Sequence, residues 1–231
     1  MHFRGFYITT VVQPHGPCHH RDVPKVVDGD ERRSTLIALT SRAIAQHGLA
    51  NVTLRSIARS GGWTTGIATH YFADKRELIM ATFVDLVDRA RGRIETATAA
   101  GTPLLDAAVA ALLPLDDERL TEWRVVLAYV GGSIGDDEMA GLHRRRVDRY
   151  TDTVAAALAD EHALGRLNDG LNLATEAYRL VVLIHGIGVQ AVLHPDRCPP
   201  EFQRRMVTEQ LRVLGHPADL FIPTRTRSSR R

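Results

Sequence analysis

Apolar residues recur at helical spacing along most of the chain, and few segments alternate apolar and polar positions as a strand would. From Glu31 to His47, Ile37, Thr40, Ala43 and Ile44 share one face and predict a first helix. Gly48 closes it, as a left-handed cap position prefers. Thr53 is placed to cap a second helix whose inward set is Leu54, Ile57 and Ala58. Gly61-Gly62 makes a turn there, where no side chain blocks a close helix crossing. A third helix starts after Thr64, a second capping hydroxyl. Asp74 caps a fourth, and Glu77 three positions later completes the pattern of a capping box. Ile79, Phe83, Leu86, Val87, Ala90 and Ile94 give that fourth helix a long apolar stripe.

Further helices are expected near 104–113, 118–130, 138–162, 173–194 and 201–214. Their breaks fall at Pro114, Gly131-Gly132, Asn168-Asp169-Gly170 and Pro195. The expected fold is all-α, with a three-helix N-terminal module and a helical body. Four segments follow: a loose extension over 1–29, the module over 30–90, the body over 91–215 and a basic tail over 216–231. Pro14, Pro17, Pro24 and Gly16 interrupt any periodicity in the first segment.

The third helix carries the most specific pattern. At about 100° per residue, Ala68 and Phe72 coincide and face inward. Gly66 and His70 fall opposite them, with Thr65 and Thr69 on one flank and Ile67 and Tyr71 on the other. A helix meant only for packing would not place Thr, Gly, Thr and His on one face. Two short helices joined by a glycine turn, the second with a small polar outer face, form a helix-turn-helix. That device sets one helix in the major groove of duplex DNA.

Charge supports this reading locally. The whole chain has a net charge of only +2, but Glu31 to Arg76 holds seven basic residues against two acidic ones. A positive field on a small module suits a phosphate backbone. Arg55 offers two donors to a guanine edge, whereas Lys75 offers a point charge to phosphate.

The order Gly48, Thr53-Leu54-Arg55-Ser56-Ile57-Ala58, Gly62, Gly66, then His70-Tyr71-Phe72-Ala73-Asp74-Lys75-Arg76-Glu77-Leu78 resembles the N-terminal domain of TetR-type bacterial transcription regulators. The body resembles the BetI-like branch through Trp123, the stretch HRRRVDRY from His143 to Tyr150, and Leu183-Ile184-His185-Gly186-Ile187-Gly188. The resemblance implies a homodimer that binds a palindromic double-stranded DNA operator and lets go when a small effector enters the body. It also implies roles for single positions. Arg55 reaches a base edge, and Thr53 and Thr64 lie where hydroxyls or amides meet phosphates. Thr65, Gly66, Ile67, Thr69 and His70 face or line the groove, and Tyr71 and Lys75 touch phosphate. Trp63 and Thr69 depart from the family pattern, so base preference does not carry over.

In the body, Leu180 to Leu193 is apolar nearly all round and must be covered on several sides. The final helix and the same pair from a second subunit would cover it, forming a four-helix interface. Leu183, Gly186, Ile187, Gln190, Phe202 and Met206 are the expected contacts. Trp123, Tyr129, Tyr150, Tyr178 and His185 are the candidates for an effector pocket. A cationic effector would suit aromatic faces beside an acid such as Glu122.

Other classes find little support. There is no Gly-x-Ser-x-Gly elbow, phosphate loop, dinucleotide fingerprint or HExxH pair, so no catalytic residues, cofactor or enzyme activity are expected. The tract His15-Gly16-Pro17-Cys18-His19-His20 lacks a second ligand pair, and no metal site is expected. Cys18 and Cys198 form no disulfide framework. No apolar run approaches a membrane span and no signal peptide opens the chain, which points to the cytoplasm. The competing reading is a helical small-molecule-binding or interaction protein that binds no operator.

Overall fold

The computed structural model describes residues 29–217. The extension before Gly29, with its His and Cys tract, and the terminal arginines lie outside the described residues. Among the described residues there are nine α-helices and no strand. They are α1 (Gly29–His47), α2 (Leu54–Ser60), α3 (Thr65–Tyr71), α4 (Lys75–Ala99) and α5 (Leu104–Leu112), then α6 (Asp117–Gly132), α7 (Asp137–Ala163), α8 (Leu173–Leu193) and α9 (Pro200–Val213). A single 3-10 turn, Leu49–Asn51, follows α1 and was not anticipated from the sequence.

The helix starts are written in short polar side chains. Thr53, Asp74, Asp116, Asp136 and Asn172 each accept a backbone N–H of the helix they precede. Each such cap is worth about 1 kcal/mol. Thr53 and Ser56 close a reciprocal capping box. Glu77 also reaches back, but its Oε2 accepts from Ala73 N at 2.6 Å, one residue earlier than a capping box requires. Thr64 differs from expectation, because its hydroxyl makes no capping bond to α3.

The break expected at Gly131-Gly132 comes later, since α6 runs through both glycines. Leu49 packs closely against Gly132: its Cδ2 lies where a Cβ would be. The turn that follows uses Gly135, whose φ of 85° favours glycine.

One continuous set of buried residues runs from Leu36 to Leu214. The boundary expected near residue 90 therefore falls inside α4, which is buried on both sides of it. Leu78, Phe83 and Leu86 lie toward its start, and Ala90 and Ile94 toward its end. α1 packs against α4 and α6, so the N-terminal module and the body share one core.

By length and composition α8 is the one described helix that could cross a membrane, contrary to the sequence expectation. Here its inner side (Leu180, Val181, Ile184, Ile187, Gly188 and Ala191) packs within the body, mainly against α7. α9 is fixed by the buried Gln203, whose Nε2 donates to Pro114 O at 3.2 Å and Cys198 O at 3.0 Å.

Gly188 lies directly beneath the Trp123 ring, within the space a Cβ would need. Gly188→Ala should therefore destabilise the protein by about 1–3 kcal/mol through overpacking. Gly92→Ala, with nothing near its Cβ position, should stabilise it by up to about 1 kcal/mol through helix propensity. Urea unfolding of the two variants would measure both signs.

Candidate nucleic-acid interface and buried pocket

α2 and α3 meet through a tight turn. Gly62 takes a φ of 74°, and Trp63 N donates to Ala58 O at 2.9 Å. The Trp63 ring and Leu39 Cδ1 crowd the place where a Cβ on Gly61 would sit. Trp63 thus locks the helix crossing.

The turn fixes which face of α3 points out. Ala68 and Phe72 are buried at 0% and 1% exposure. Thr64, Thr65, Gly66, Thr69 and His70 are exposed, with Ile67 and Tyr71 half-buried at the flanks. The Thr69 hydroxyl donates to Thr65 O and Gly66 O at 3.3 and 3.2 Å. His70 meets the Tyr71 ring edge-on, with centroids 5.0 Å apart. Beside them Thr53, at the cap of α2, and Arg55, in its first turn, are exposed. Lys75 is half-buried, and its Nζ donates to Ala50 O at 3.2 Å. That bond anchors its stem and leaves two further donors for an anion.

Immediately after Lys75, Arg76 joins this region to the body. Its Nε and Nη2 each lie 2.8 Å from the Asp136 carboxylate, and its Nη1 lies 2.7 Å from Glu138 Oε2. This fork holds the Asp136 carboxyl far below the usual carboxylate range, helped by the backbone amides that Asp136 caps. Seven residues along the same helix, Phe83 stacks on Tyr129 of α6 with centroids 3.8 Å apart.

Further along α4 a small cavity opens, with free space of about 20 Å³, lined by Leu86, Ala90, Arg93, Glu122, Trp123, Arg146 and Tyr150 among others. That is room for about one water. Glu122 is buried here but already paired, 2.6 Å from Arg93 and 3.3 Å from Arg89. Arg146 is 7% exposed and forms no ion pair among the described residues. Its Nη1 lies 3.1 Å from His185 Nε2, and its guanidinium carbon lies 4.9 Å from the Tyr150 ring centre and 5.9 Å from that of Trp123. A guanidinium only donates, so His185 accepts through Nε2 and carries its proton on Nδ1. Burial first, then Arg146 and His143, push the His185 pKa down to about 4, which keeps the ring neutral. Burial also lowers Arg146, yet an arginine starts so high that it stays charged.

The comparisons with known proteins agree with this layout. Residues 36–82 match the family model described as bacterial regulatory proteins, tetR family. Residues 101–216 match the BetI-type transcriptional repressor C-terminal family. The chain belongs to the TetR family of transcription regulators. A BetI regulator from Cronobacter sakazakii is 30% identical over 194 residues, covering 84% of this chain and 77% of the relative. PksA from Bacillus subtilis is 24% identical over 195 residues, covering 83% and 94%. A transcriptional regulator from Saccharomonospora viridis, solved in complex with choline, superposes with a TM-score of 0.73 at 22% identity, covering 79% of this chain and 96% of that one. These families and relatives regulate transcription and are not enzymes.

Within this TetR-family fold the residues expected to line a pocket separate. Trp123 and Tyr150 line the cavity, and His185 is joined to it through Arg146. Tyr129 lines no part of it: it is packed on Phe83 and donates to Met139 O at 3.1 Å. Tyr178 points outward from α8 at 55% exposure. Arg146 and Arg93 were missed. Arg146 continues the stripe of His143, Tyr150 and Val154 along α7, and that register alone could have revealed it.

The expected subunit contacts also divide. Gly186 and Gln190 are exposed on α8, and Leu183, Phe202 and Met206 are half-buried. Ile187 instead faces inward at 5% exposure, because it lies on the side of α8 that packs within its own body. Tyr178, Val182 at 50% and Leu193 at 61% take its place on the exposed strip.

Asp136→Asn should lower the melting temperature at neutral pH by loosening the Arg76 fork. Asp136 is depressed in the folded state, so its contribution is full above about pH 4 and fades as pH falls below that. The gap between variant and parent should narrow on acidification and in high salt, read by thermal melts across pH.

Proposed function

We propose that this regulator is a homodimeric repressor that holds a palindromic operator and releases it when a small molecule enters the body. The observation that carries the reading is the outward face of α3, small and polar, set beside an exposed Arg55. Gly66 has open space around it apart from the Thr64 hydroxyl, 3.8 Å from where its Cβ would be. That face can lie close against base edges. Arg55 reads a guanine with two donors, Thr65 and Thr69 offer methyls and hydroxyls, and His70 offers a ring nitrogen. The Thr64 hydroxyl, unused for capping, joins Tyr71 and Lys75 on the phosphates. Thr53 contributes through position, setting the start of α2, since both its hydroxyl and its N–H are engaged with Ser56.

One such module is too small for strong specificity. Two copies joined through the exposed strip of α8 and α9 would reach half-sites about 34 Å apart or a multiple. Coupling follows from α4. Leu86, Ala90 and Arg93 line the cavity, while Arg76 sits on the same helix about 15–25 Å away at 1.5 Å per residue. A ligand that favours one packing of α4 moves the Arg76 end and with it α3. It can shift the balance only by its differential affinity for the two states.

Gel shifts with the DNA upstream of the regulator's own gene test the reading. Arg55→Ala should cost about 1–3 kcal/mol and relax base preference at one position per half-site. Lys75→Ala should weaken binding to all sequences and flatten the log–log salt slope by about 1. Variants that bind like the parent would contradict it and leave the helical interaction protein as the better reading. Val182→Glu on the α8 strip should shift the sedimenting mass from two chains to one and weaken operator binding with it.

A further inference from the structure

We propose that the effector is a small monocarboxylate with an apolar tail, bound through its carboxylate to Arg146. The inference deepens the reading of the body as a sensor and rests on it.

Charge decides the class of ligand. Three charged side chains line the cavity: Arg93, Glu122 and Arg146. Arg93 and Glu122 neutralise each other through two hydrogen bonds, Nη1 to Oε1 at 3.0 Å and Nη2 to Oε2 at 2.6 Å. Arg146 is left over. Its neighbours are aromatic rings, the Tyr150 side chain, which it also hydrogen-bonds, and the neutral His185, which accepts another of its five N–H groups. Glu122 attracts it from across the cavity but is bound to Arg93 and Arg89 and forms no ion pair with it. Charges are rarely buried without a counter-charge, because their desolvation is so costly. A guanidinium fork matches a carboxylate with two parallel bonds. One unpaired cation calls for one negative charge. A quaternary ammonium placed here would meet Arg146 with the wrong sign, and Glu122, the acid that would receive it, is already held by two arginines.

The surroundings supply the rest. Leu86, Ala90, Leu112, Val126 and the Trp123 ring line the cavity with apolar surface, which suits a hydrocarbon or aromatic tail. Arg146 also lines a second cavity, of about 60 Å³, between α4 and α7. Its rim carries Arg145 and Arg149 against the single acid Asp88. That approach is positive and favours the entry of an anion. Free space of about 20 Å³ means that the tail must displace side chains, which is how ligand binding would repack α4.

Thermal melts of the full-length protein test the assignment without any DNA. Benzoate and hexanoate are compared with benzamide, hexanamide and choline at matched ionic strength. The carboxylates should raise the melting temperature by about 5–10 °C at a hundredfold excess over Kd, and the amides and choline should not. Arg146→Met keeps the apolar stem and should abolish the rise, while its ligand-free melting temperature stays level or increases. Arg146→Lys keeps the charge without the fork and should weaken carboxylate binding about tenfold, which keeps the test open if the methionine variant does not fold. The assignment is overturned if neither carboxylate stabilises the protein, if amides or choline stabilise it equally, or if the carboxylate effect survives in both variants. A large loss of ligand-free stability in Arg146→Met would assign Arg146 to holding the fold instead. Operator binding that persists without any carboxylate effect defeats this inference alone. Carboxylate stabilisation without operator binding defeats the repressor reading alone.

Discussion

Phe83 lies flat on Tyr129, and that stack fastens the long α4 helix to α6. On one side of it Arg76 grips Asp136 and Glu138. On the other, Arg93 grips Glu122 beside the buried cavity. α4 is thus held at these three places by two kinds of force, apolar at the stack and ionic on either side of it. The stack is fully dry, whereas the Arg76 fork is part-exposed and screened by salt. The start of the helix is also packed, through Leu78, Ile79 and Thr82 and against α1, so α4 ties the N-terminal module to the body along much of its length. Three residues separate the end of α3 from the start of α4, which lines the cavity further along and so links the two regions.

Much of the N-terminal module could be read directly from the chain. The reason is that short helices with glycine turns leave little choice of face. Ala68 and Phe72 are the apolar pair on α3, so Thr65, Gly66, Thr69 and His70 had to point outward. Caps at Thr53 and Asp74 followed from local chemistry in the same way. Thr64 did not cap, because a residue's type permits a hydrogen bond without compelling it.

The body was less legible for identifiable reasons. α8 is apolar on nearly every side, so its sequence carries no phase, and Ile187 was assigned outward when it faces in. Tyr178 was placed in a pocket on residue type alone. Arg146 stands in a run of three arginines, two of which are exposed, and composition treats all three alike. Its burial depends on α6 and α8 covering α7, which is a tertiary fact. The ion pair between Arg76 and Asp136 spans sixty residues and left no trace in local pattern.

The Leu49 side chain filling the bare backbone at Gly132 has a consequence for how such proteins can diversify. A DNA-reading head that plugs into a notch on its own sensor is not a bead on a string. Grafting this head onto another sensor would require the recipient to offer a matching notch, and a chimera lacking one would leave an apolar knob exposed to water. The seam between head and body, and not only the recognition surface, therefore enters into which recombinants of this build can fold.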